Sequence, residues 1–162
     1  LWAALLYPLQ LIASITEAAQ ITDVTMLTAH KVQDDIMAML ADSKLTAEIS
    51  GKVYRKGYRP RDSRLEDVEV LFINGIPGQV EQGAVTLNIF VPDITPYNNG
   101  VYVEDGLRVA RIEALADEWV ASLVTRRSNY RFTLLRTIST DRDEVAQEHF
   151  VAVQLEYKYK GV

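Results

Sequence analysis

The stretch Ala84–Arg127, AVTLNIFVPDITPYNNGVYVEDGLRVARIEALADEWVASLVTRR, contains the signals that decide the fold. Its first eight residues alternate between apolar and polar side chains, except at Phe90, and this predicts a strand. From Val103 to Val124, apolar residues recur every three or four positions, which predicts an amphipathic helix. A loop rich in Pro, Asn and Gly separates the two. We therefore expect a long helix that packs against a sheet.

More strands are predicted on both sides of this stretch. Upstream, Asp67 to Ile73 is apolar and β-branched, and turn dipeptides follow it, so it forms an antiparallel pair with the strand at Ala84. Downstream, Tyr130 to Ser139 and the run that follows His149 both alternate. The polar residues Asp141 to Glu144 predict the turn between these two strands.

A second helix is predicted near the start of the chain. From Thr28 onward, Val32, Ile36, Met39 and Leu40 share one helical face. The resulting order is α-β-β-α-β-β, with a possible short strand at Val53 to Arg55. The predicted class is α+β: an antiparallel sheet of four to five strands, backed by one long helix and an N-terminal helix.

The first 25 residues differ from the rest of the chain. They open with an apolar run that Pro8 and Gln10 interrupt, too short for a transmembrane helix, and no positive segment of a signal peptide precedes it. Two interpretations of residues 1–25 stay open: an amphipathic or buried N-terminal helix, and an extension or arm upstream of a natural start at Met26. Residues 26–162 then form a single α+β domain with no membrane contact, and intact-mass measurement tests the proposed start.

The composition excludes several kinds of site. The 162 residues contain no cysteine, which excludes disulfides, thiolate metal sites and a cysteine nucleophile. The two histidines, His30 and His149, lie far apart, which disfavours a histidine-rich metal site. The net charge of −5 disfavours a protein that binds DNA without sequence preference, because such proteins carry a basic face.

No catalytic motif is present in the sequence. It has no glycine-rich phosphate loop, no G-x-S-x-G turn and no H-E-x-x-H helix. Glu148 and His149 are neighbours at the start of a strand, so their side chains point to opposite faces. We expect no catalytic residue, no cofactor and no metal ion, and an enzyme that uses Glu148 and His149 ranks last among three functional readings.

The segment from Lys52 to Arg64 crowds six basic residues into 13 positions. Gly57 and Pro60 predict that it is mostly loop. The acidic residues Asp62, Glu66 and Asp67 stand close by and would compete with phosphate groups. We therefore interpret Arg59 and Arg61 as contacts with another subunit or partner. A small nucleic-acid-binding module that uses this segment is the second functional reading.

Several segments together resemble a known family. These are SGKVYRKGYRPRDSRLEDVEV, QGAVTLNIFVPD, the long helix, and EHFVAVQLEY. They are similar to the small tail-terminator, or tail-completion, proteins of tailed phages and prophages, especially those of Bacteroides-type hosts. The resemblance runs from about Leu45 to Tyr159 and does not extend to residues 1–25. The matching positions are Gly51, Val53, Tyr54, Gly57, Arg59, Pro60, Ser63, Glu66, Asp67, Asn88, Val91, Pro92, Asp93, Glu148, His149 and Val151.

This resemblance implies a structural role in the virion, without enzymatic activity. Family members form a ring, typically a hexamer, which caps the tail tube and joins the tail to the head. The implied partners are copies of the chain itself, the tail tube protein and the head-tail connector protein, in particles assembled in the cytoplasm of the bacterial host. DNA would pass through without specific binding, which suits an acidic subunit. Another neck or tail-tube component is the alternative within this class.

The resemblance also suggests which residues meet partners. The loop from Asp93 to Gly100 would project toward the head or the tail, and Phe90 would anchor an interface from an otherwise polar strand face. The predicted interface residues are Arg55, Tyr58, Arg59, Arg61, Arg64, Phe90, Pro96, Tyr97, Asn98 and Asn99.

Overall fold

The structure, a computed structural model, describes residues 26–161. The predicted extension at residues 1–25 lies outside them. The described part of the chain contains three helices and six strands, which confirms the α+β class. The helices are α1 (Ala29–Ala41), α2 (Lys44–Glu48) and α3 (Gly106–Thr125). The strands are β1 (Val53–Arg55), β2 (Val68–Ile76), β3 (Glu81–Pro92), β4 (Tyr130–Leu134), β5 (Ser139–Asp143) and β6 (Glu148–Tyr159).

The strands form one sheet in the order β1-β2-β3-β6-β4, and β5 also pairs with β6. Strands β2, β3, β4, β5 and β6 pair antiparallel, as expected. The sheet has six strands instead of four to five, and β1 pairs with β2 in parallel. The chain leaves the end of β1, and the basic segment returns to the level where β1 began. Strand β2 therefore starts beside the start of β1 and runs in the same direction.

The edge beside β6 differs from the prediction in detail. The expected single strand from Tyr130 to Ser139 is broken at residues 135–138, so that β4 and β5 pair with successive halves of β6. Asp141 to Asp143 belong to β5, and the turn follows at residues 144–147. An edge strand exposes much of its surface and therefore contains many polar residues. In the sequence such a strand looks like a turn.

The core lies between one face of the sheet and helices α1 and α3. Valines, leucines and isoleucines at alternate positions of β2, β3 and β6 point into it. From α3 it receives Val109, Ile112, Leu115, Ala116, Trp119 and Leu123, and from α1 Val32, Ile36, Met39 and Leu40. The Trp119 indole donates to the carbonyl of Met39 at 3.2 Å, which joins the two helices. The predicted amphipathic faces of both helices are therefore confirmed.

Polar caps define the starts of α1 and α3. The Thr28 hydroxyl accepts from the Lys31 amide at 3.2 Å, and the Asp105 carboxylate accepts from the Arg108 amide at 3.2 Å. Helix α3 therefore begins at Gly106, three residues later than the apolar pattern alone suggests. None of the helices in residues 26–161 has the length and apolar character needed to cross a membrane.

Candidate functional site

The basic segment that follows β1 folds inward around Arg59. The Arg59 Nε donates to Asp67 Oδ2 at 3.0 Å, and its two terminal nitrogens donate to the Glu148 carboxylate at 2.9 and 3.0 Å. The Arg59 side chain is 10% exposed, and both carboxylates are 1% exposed. One guanidinium therefore links the start of β2 to the start of β6, through two-pronged geometry that arginine favours.

Aromatic contacts complete the surroundings of Arg59. Its guanidinium carbon lies 3.8 Å from the centre of the Phe90 ring, and Phe90 packs against Phe150 at 5.9 Å between ring centres. Burial alone would lower the pKa of Arg59. The hydrogen bonds to Glu148 and Asp67 outweigh that effect and raise the pKa above its ordinary value. Arg59 is therefore a permanent internal cation.

Asp67 is the centre of this cluster. Its Oδ1 accepts from the Lys52 amide at 2.9 Å, and its Oδ2 also accepts from the Ser63 hydroxyl. Position 51 has to be glycine, because an added Cβ would lie 2.1 Å from Asp67 Oδ1. These neutral donors help to balance two carboxylates that face a single guanidinium. We call Gly51, Arg59, Ser63, Asp67 and Glu148 the arginine cluster.

A second ion pair ties the same segment to α3. The Arg108 guanidinium binds the Glu66 carboxylate through two nitrogens and donates to the Glu48 carbonyl at 2.8 Å. Glu66 also exchanges hydrogen bonds with Ser50, at 3.2 and 3.0 Å. The hydrogen bond with Glu66 raises the pKa of Arg108. The arginine cluster and the Arg108–Glu66 ion pair together anchor the segment between β1 and β2 to β6 and to α3.

His149 holds the base of the loop between Ile94 and Val103, which we call the β3–α3 loop. Its Nδ1 lies 2.6 Å from Asp93 Oδ1, and its Nε2 lies 3.6 Å from Glu104 Oε2, on the other side of the loop. The backbones of Ile94 and Val103 also pair with each other. His149 and Glu148 have separate partners, so the two side chains do not act on one another.

This polar arrangement is suited to holding backbone segments in place. The single guanidinium of the arginine cluster binds both carboxylates, and the Lys52 amide and the Ser63 hydroxyl supply further hydrogen bonds to Asp67. Within residues 26–161, no group of three or more His, Asp or Glu side chains is placed to hold a metal ion. Asp93 Oδ2 is buried without a hydrogen-bond partner in the described structure.

The predicted interface residues fall into three groups. Phe90 is buried, the Arg59 side chain is 10% exposed, and the two side chains contact each other, so both make contacts within the subunit. The physical reason is Glu148, whose carboxylate binds Arg59 at the start of β6. Arg55 is half-buried and pairs with Asp34. The exposed members are Tyr58, Arg61, Arg64, Pro96, Tyr97, Asn98 and Asn99.

The exposed residues belong to two surfaces. Tyr58 and Arg61 lie on the basic segment, and Arg64 reaches across to donate to the Ala146 carbonyl. The other four lie on the β3–α3 loop, where Tyr97 is 72% exposed and Asn98 adopts a left-handed conformation with φ of 52°. The structure thus brings Arg64 near the turn before β6.

Sequence reasoning missed a second basic surface. Arg126, Arg127, Arg131, Lys158 and Lys160 come from three separate parts of the chain, and the fold places them around the connection between α3 and β4. Considered locally, the arginines complement a helix C-terminus and the lysines suit an edge strand, but β6 lies inside the sheet between β3 and β4. Their common location depends on the pairing of β4 with β6, which no local pattern reveals.

Comparisons of the sequence with protein-family models and with curated proteins found no match.

Proposed function

We propose that the protein is a structural component of a phage or prophage virion. It forms a ring at the head-proximal end of the tail tube, ends the growth of the tube and joins the tail to the head. In this proposal the ring is a hexamer of the chain. Its partners are the tail tube protein and the head-tail connector protein, and DNA passes through its centre without specific binding.

One observation carries this proposal. The residues that resemble the tail-terminator family come from four separate segments, yet several of them bind one another in the arginine cluster. Glu148 lies 89 residues from Arg59 in the sequence and is its bidentate partner. A resemblance based on short segments gains weight when the matching side chains depend on each other physically, because chance matches would be scattered over the fold.

The fold is compatible with a role in assembly. The sheet has helices on one face, and a loop with exposed Tyr97, Asn98 and Asn99 projects from one end. The internal ion pairs fix the backbone around this loop and around the basic segment. A subunit that joins neighbours benefits from preformed surfaces, since less conformational entropy is lost when they dock.

The direct test is to image the purified protein with and without tail tubes. We expect light scattering to give a mass of several subunits, and negative-stain images to show closed rings with a central channel. Added to purified phage tail tubes, the rings should lie at one tube end. A protein that stays monomeric at high concentration, and that leaves tube ends bare, would contradict the proposal.

The same images separate the alternatives within this class. A tail-tube component would polymerise into long tubes, and a different neck component would form rings that leave the tube ends free. Growth assays give a second measure, because a terminator added to polymerising tube protein shortens the tubes.

The structure weakens the hypothesis that the basic segment binds nucleic acid. Of the six basic residues from Lys52 to Arg64, Arg59 is buried, Arg55 pairs with Asp34, and Arg64 binds a carbonyl. A gel-shift series at low salt with duplex DNA tests what remains, since binding through phosphate contacts would weaken steeply as salt is added.

A further inference from the structure

Strand β6 runs between two ends of the molecule that differ in charge. Glu148, at its start, pairs with Pro92 and Asp143, so the β3–α3 loop and the turn at residues 144–147 lie at this end. Tyr159, at its finish, pairs with Glu81 and Tyr130, so the β2–β3 turn and the α3–β4 connection lie at the other end. Twelve strand residues separate the two ends by about 36 Å, given a rise of roughly 3.3 Å per residue.

The first end, which we call the acidic end, combines apolar and acidic side chains. Val145 is 95% exposed, Leu107 is 91% exposed, and Tyr97, Val101 and Tyr102 are exposed beside them. Among its carboxylates are Asp62, Glu104, Asp105, Asp141, Asp143 and Glu144, and its exposed arginines are Arg61, Arg64 and Arg142. Carboxylates therefore outnumber the arginines around a set of large apolar side chains.

The opposite end, which we call the basic end, also exposes apolar side chains, but among cations. Val124 is 79% exposed, and Ile76 and Val80 are also exposed. Around them lie Arg126, Arg127, Arg131, Lys158 and Lys160, which line two adjoining grooves of about 620 and 530 Å³. In the described part of the chain, the one ion pair of this set joins Lys158 to Glu156 at 3.9 Å.

The basic end contains a repulsion between like charges that an acidic partner would reduce. Arg131 and Lys158 are direct partners across β4 and β6, so their like charges face the same side of the sheet. Such pairs destabilise a sheet. A carboxylate-rich surface placed against them would reverse the sign of this interaction.

We propose that the acidic end of one copy of the chain docks onto the basic end of the next copy. Each end supplies large exposed apolar side chains, and the charges around them are opposite in sign. We favour a second copy over nucleic acid because a phosphate backbone would leave Val80 and Val124 without apolar partners. This inference rests on the proposed function and supplies the subunit contact that builds the ring.

The contact joins two different surfaces, so its geometry sets the form of the assembly. A contact between unlike surfaces produces a closed ring when the rotation from copy to copy closes, and an open filament when it does not. Opposite charges at the two surfaces also prevent contacts between two like ends, which fixes the direction in which subunits add.

Charge reversal at each end tests the contact. The basic-end variant is Arg127→Glu with Arg131→Glu, and the acidic-end variant is Asp141→Lys with Glu144→Lys. All four positions lie on the surface, outside the arginine cluster, so both variants should fold, and thermal unfolding checks this. Alone, each variant carries like charges at both ends. We expect each to lose association at least tenfold by light scattering at low salt.

Mixing the two variants gives the decisive result. In an equimolar mixture the charges are again complementary at every contact, so we expect assemblies in which the two variants alternate. The matched control is Lys44→Glu with Glu118→Lys, which swaps a surface ion pair that belongs to neither set of charges and should associate like the wild type. Raising the salt concentration should weaken wild-type association, because salt screens exposed charges.

Each other result overturns a specific claim. If the wild-type protein forms rings and both variants do so equally well, the end-to-end contact is wrong while the ring proposal stands. If the mixture fails to restore association, charge complementarity is wrong. If the basic-end variant associates like the wild type but no longer binds a 30-base-pair DNA duplex at low salt, the basic end is a nucleic-acid surface. A further result is that the wild-type protein forms open filaments, that either charge-reversal variant abolishes them, and that they do not bind tail tubes. This result would support the end-to-end contact and overturn the proposed function.

Discussion

Arg59 shows how one buried side chain can fix a whole segment. Its guanidinium is nearly inaccessible to water, and so are the Asp67 and Glu148 carboxylates. Moving such charges out of water costs several kcal/mol per ion, and only good geometry and further hydrogen bonds repay that cost. The arginine cluster meets both conditions. The cluster therefore stabilises the fold only while all of its charged members are present, because the loss of one partner leaves the other charges buried and uncompensated.

We expect Arg59→Met to lower the free energy of unfolding by about 3–5 kcal/mol, because two buried carboxylates lose their cation. The matched control is Arg61→Met, an exposed neighbour on the same segment, which should change stability by less than about 0.5 kcal/mol. Urea unfolding followed by tryptophan fluorescence measures both. Equal midpoints for the two variants would show that the arginine cluster contributes little.

Tyr130 gives a prediction for alkaline pH. Burial, with a further contribution from its hydrogen bond to Asp35 at 2.8 Å, raises the pKa of Tyr130 far above its ordinary value of about 10. The folded state thus keeps a proton that the unfolded state releases. The stabilising effect is complete below pH 10 and declines as the pH rises above it, by up to about 1.4 kcal/mol per pH unit. Tyr130→Phe should flatten this decline, and unfolding curves from pH 8 to pH 11 measure it. Parallel declines in both proteins would contradict the assignment.

Helices and strands with strong periodicity were predicted well, whereas features that depend on distant partners were not. The elements α3, β3 and β6 can be predicted from the sequence because each buries one regular face, which gives its apolar residues a clear period. The break between β4 and β5 was missed because an edge strand has little apolar pattern. The inward turn of Arg59 depends on Glu148, far along the chain, and local sequence contains no sign of that pairing.

The pairing of β3 with β2 and β6 depends on Gly83. A Cβ at this position would lie 2.2 Å from the Asn74 carbonyl and 2.6 Å from the Tyr157 hydroxyl. We expect Gly83→Ala to cost about 1–3 kcal/mol, since backbone or a buried ring has to move. Gly106→Ala, at the start of α3, has open space and should be neutral or stabilise by about 0.4–1 kcal/mol. Thermal unfolding compares the two, and a stable Gly83→Ala protein would show that the strands shift easily.

The molecule as a unit separates its stable parts from its contact surfaces. The core, the arginine cluster and the Arg108–Glu66 ion pair hold the sheet and helices together, while the β3–α3 loop, the acidic end and the basic end expose large side chains such as Tyr97, Val145 and Val124. Substitutions at those exposed positions should therefore leave folding intact and alter association.

The β3–α3 loop provides a test of this separation. Tyr97→Ser removes an exposed ring without touching the contacts of His149 at the loop base, or the hydrogen bond that the Asn99 side chain accepts from the Val101 amide at 3.0 Å. Under the proposed function, we expect an unfolding temperature within 2–4 °C of the wild type, equal to roughly 1 kcal/mol or less in a domain of this size. Rings should still form, but attachment to tail tubes or heads should weaken. Pull-down with purified tail tubes measures it, and unchanged attachment would show that another surface meets the tube.

The central position of β6 has a consequence for biosynthesis. This strand pairs with β3, β4 and β5, and the residues that complete it are synthesised after all of its partners. The core therefore stays open until β6 has been synthesised, because the sheet has no middle strand before then. Contacts between positions so distant in sequence slow folding and leave β3 without one neighbour during translation. Under the proposed contact, a chain that stops before β6 lacks the middle strand of the sheet and the lysines of the basic end, so it cannot enter an assembly.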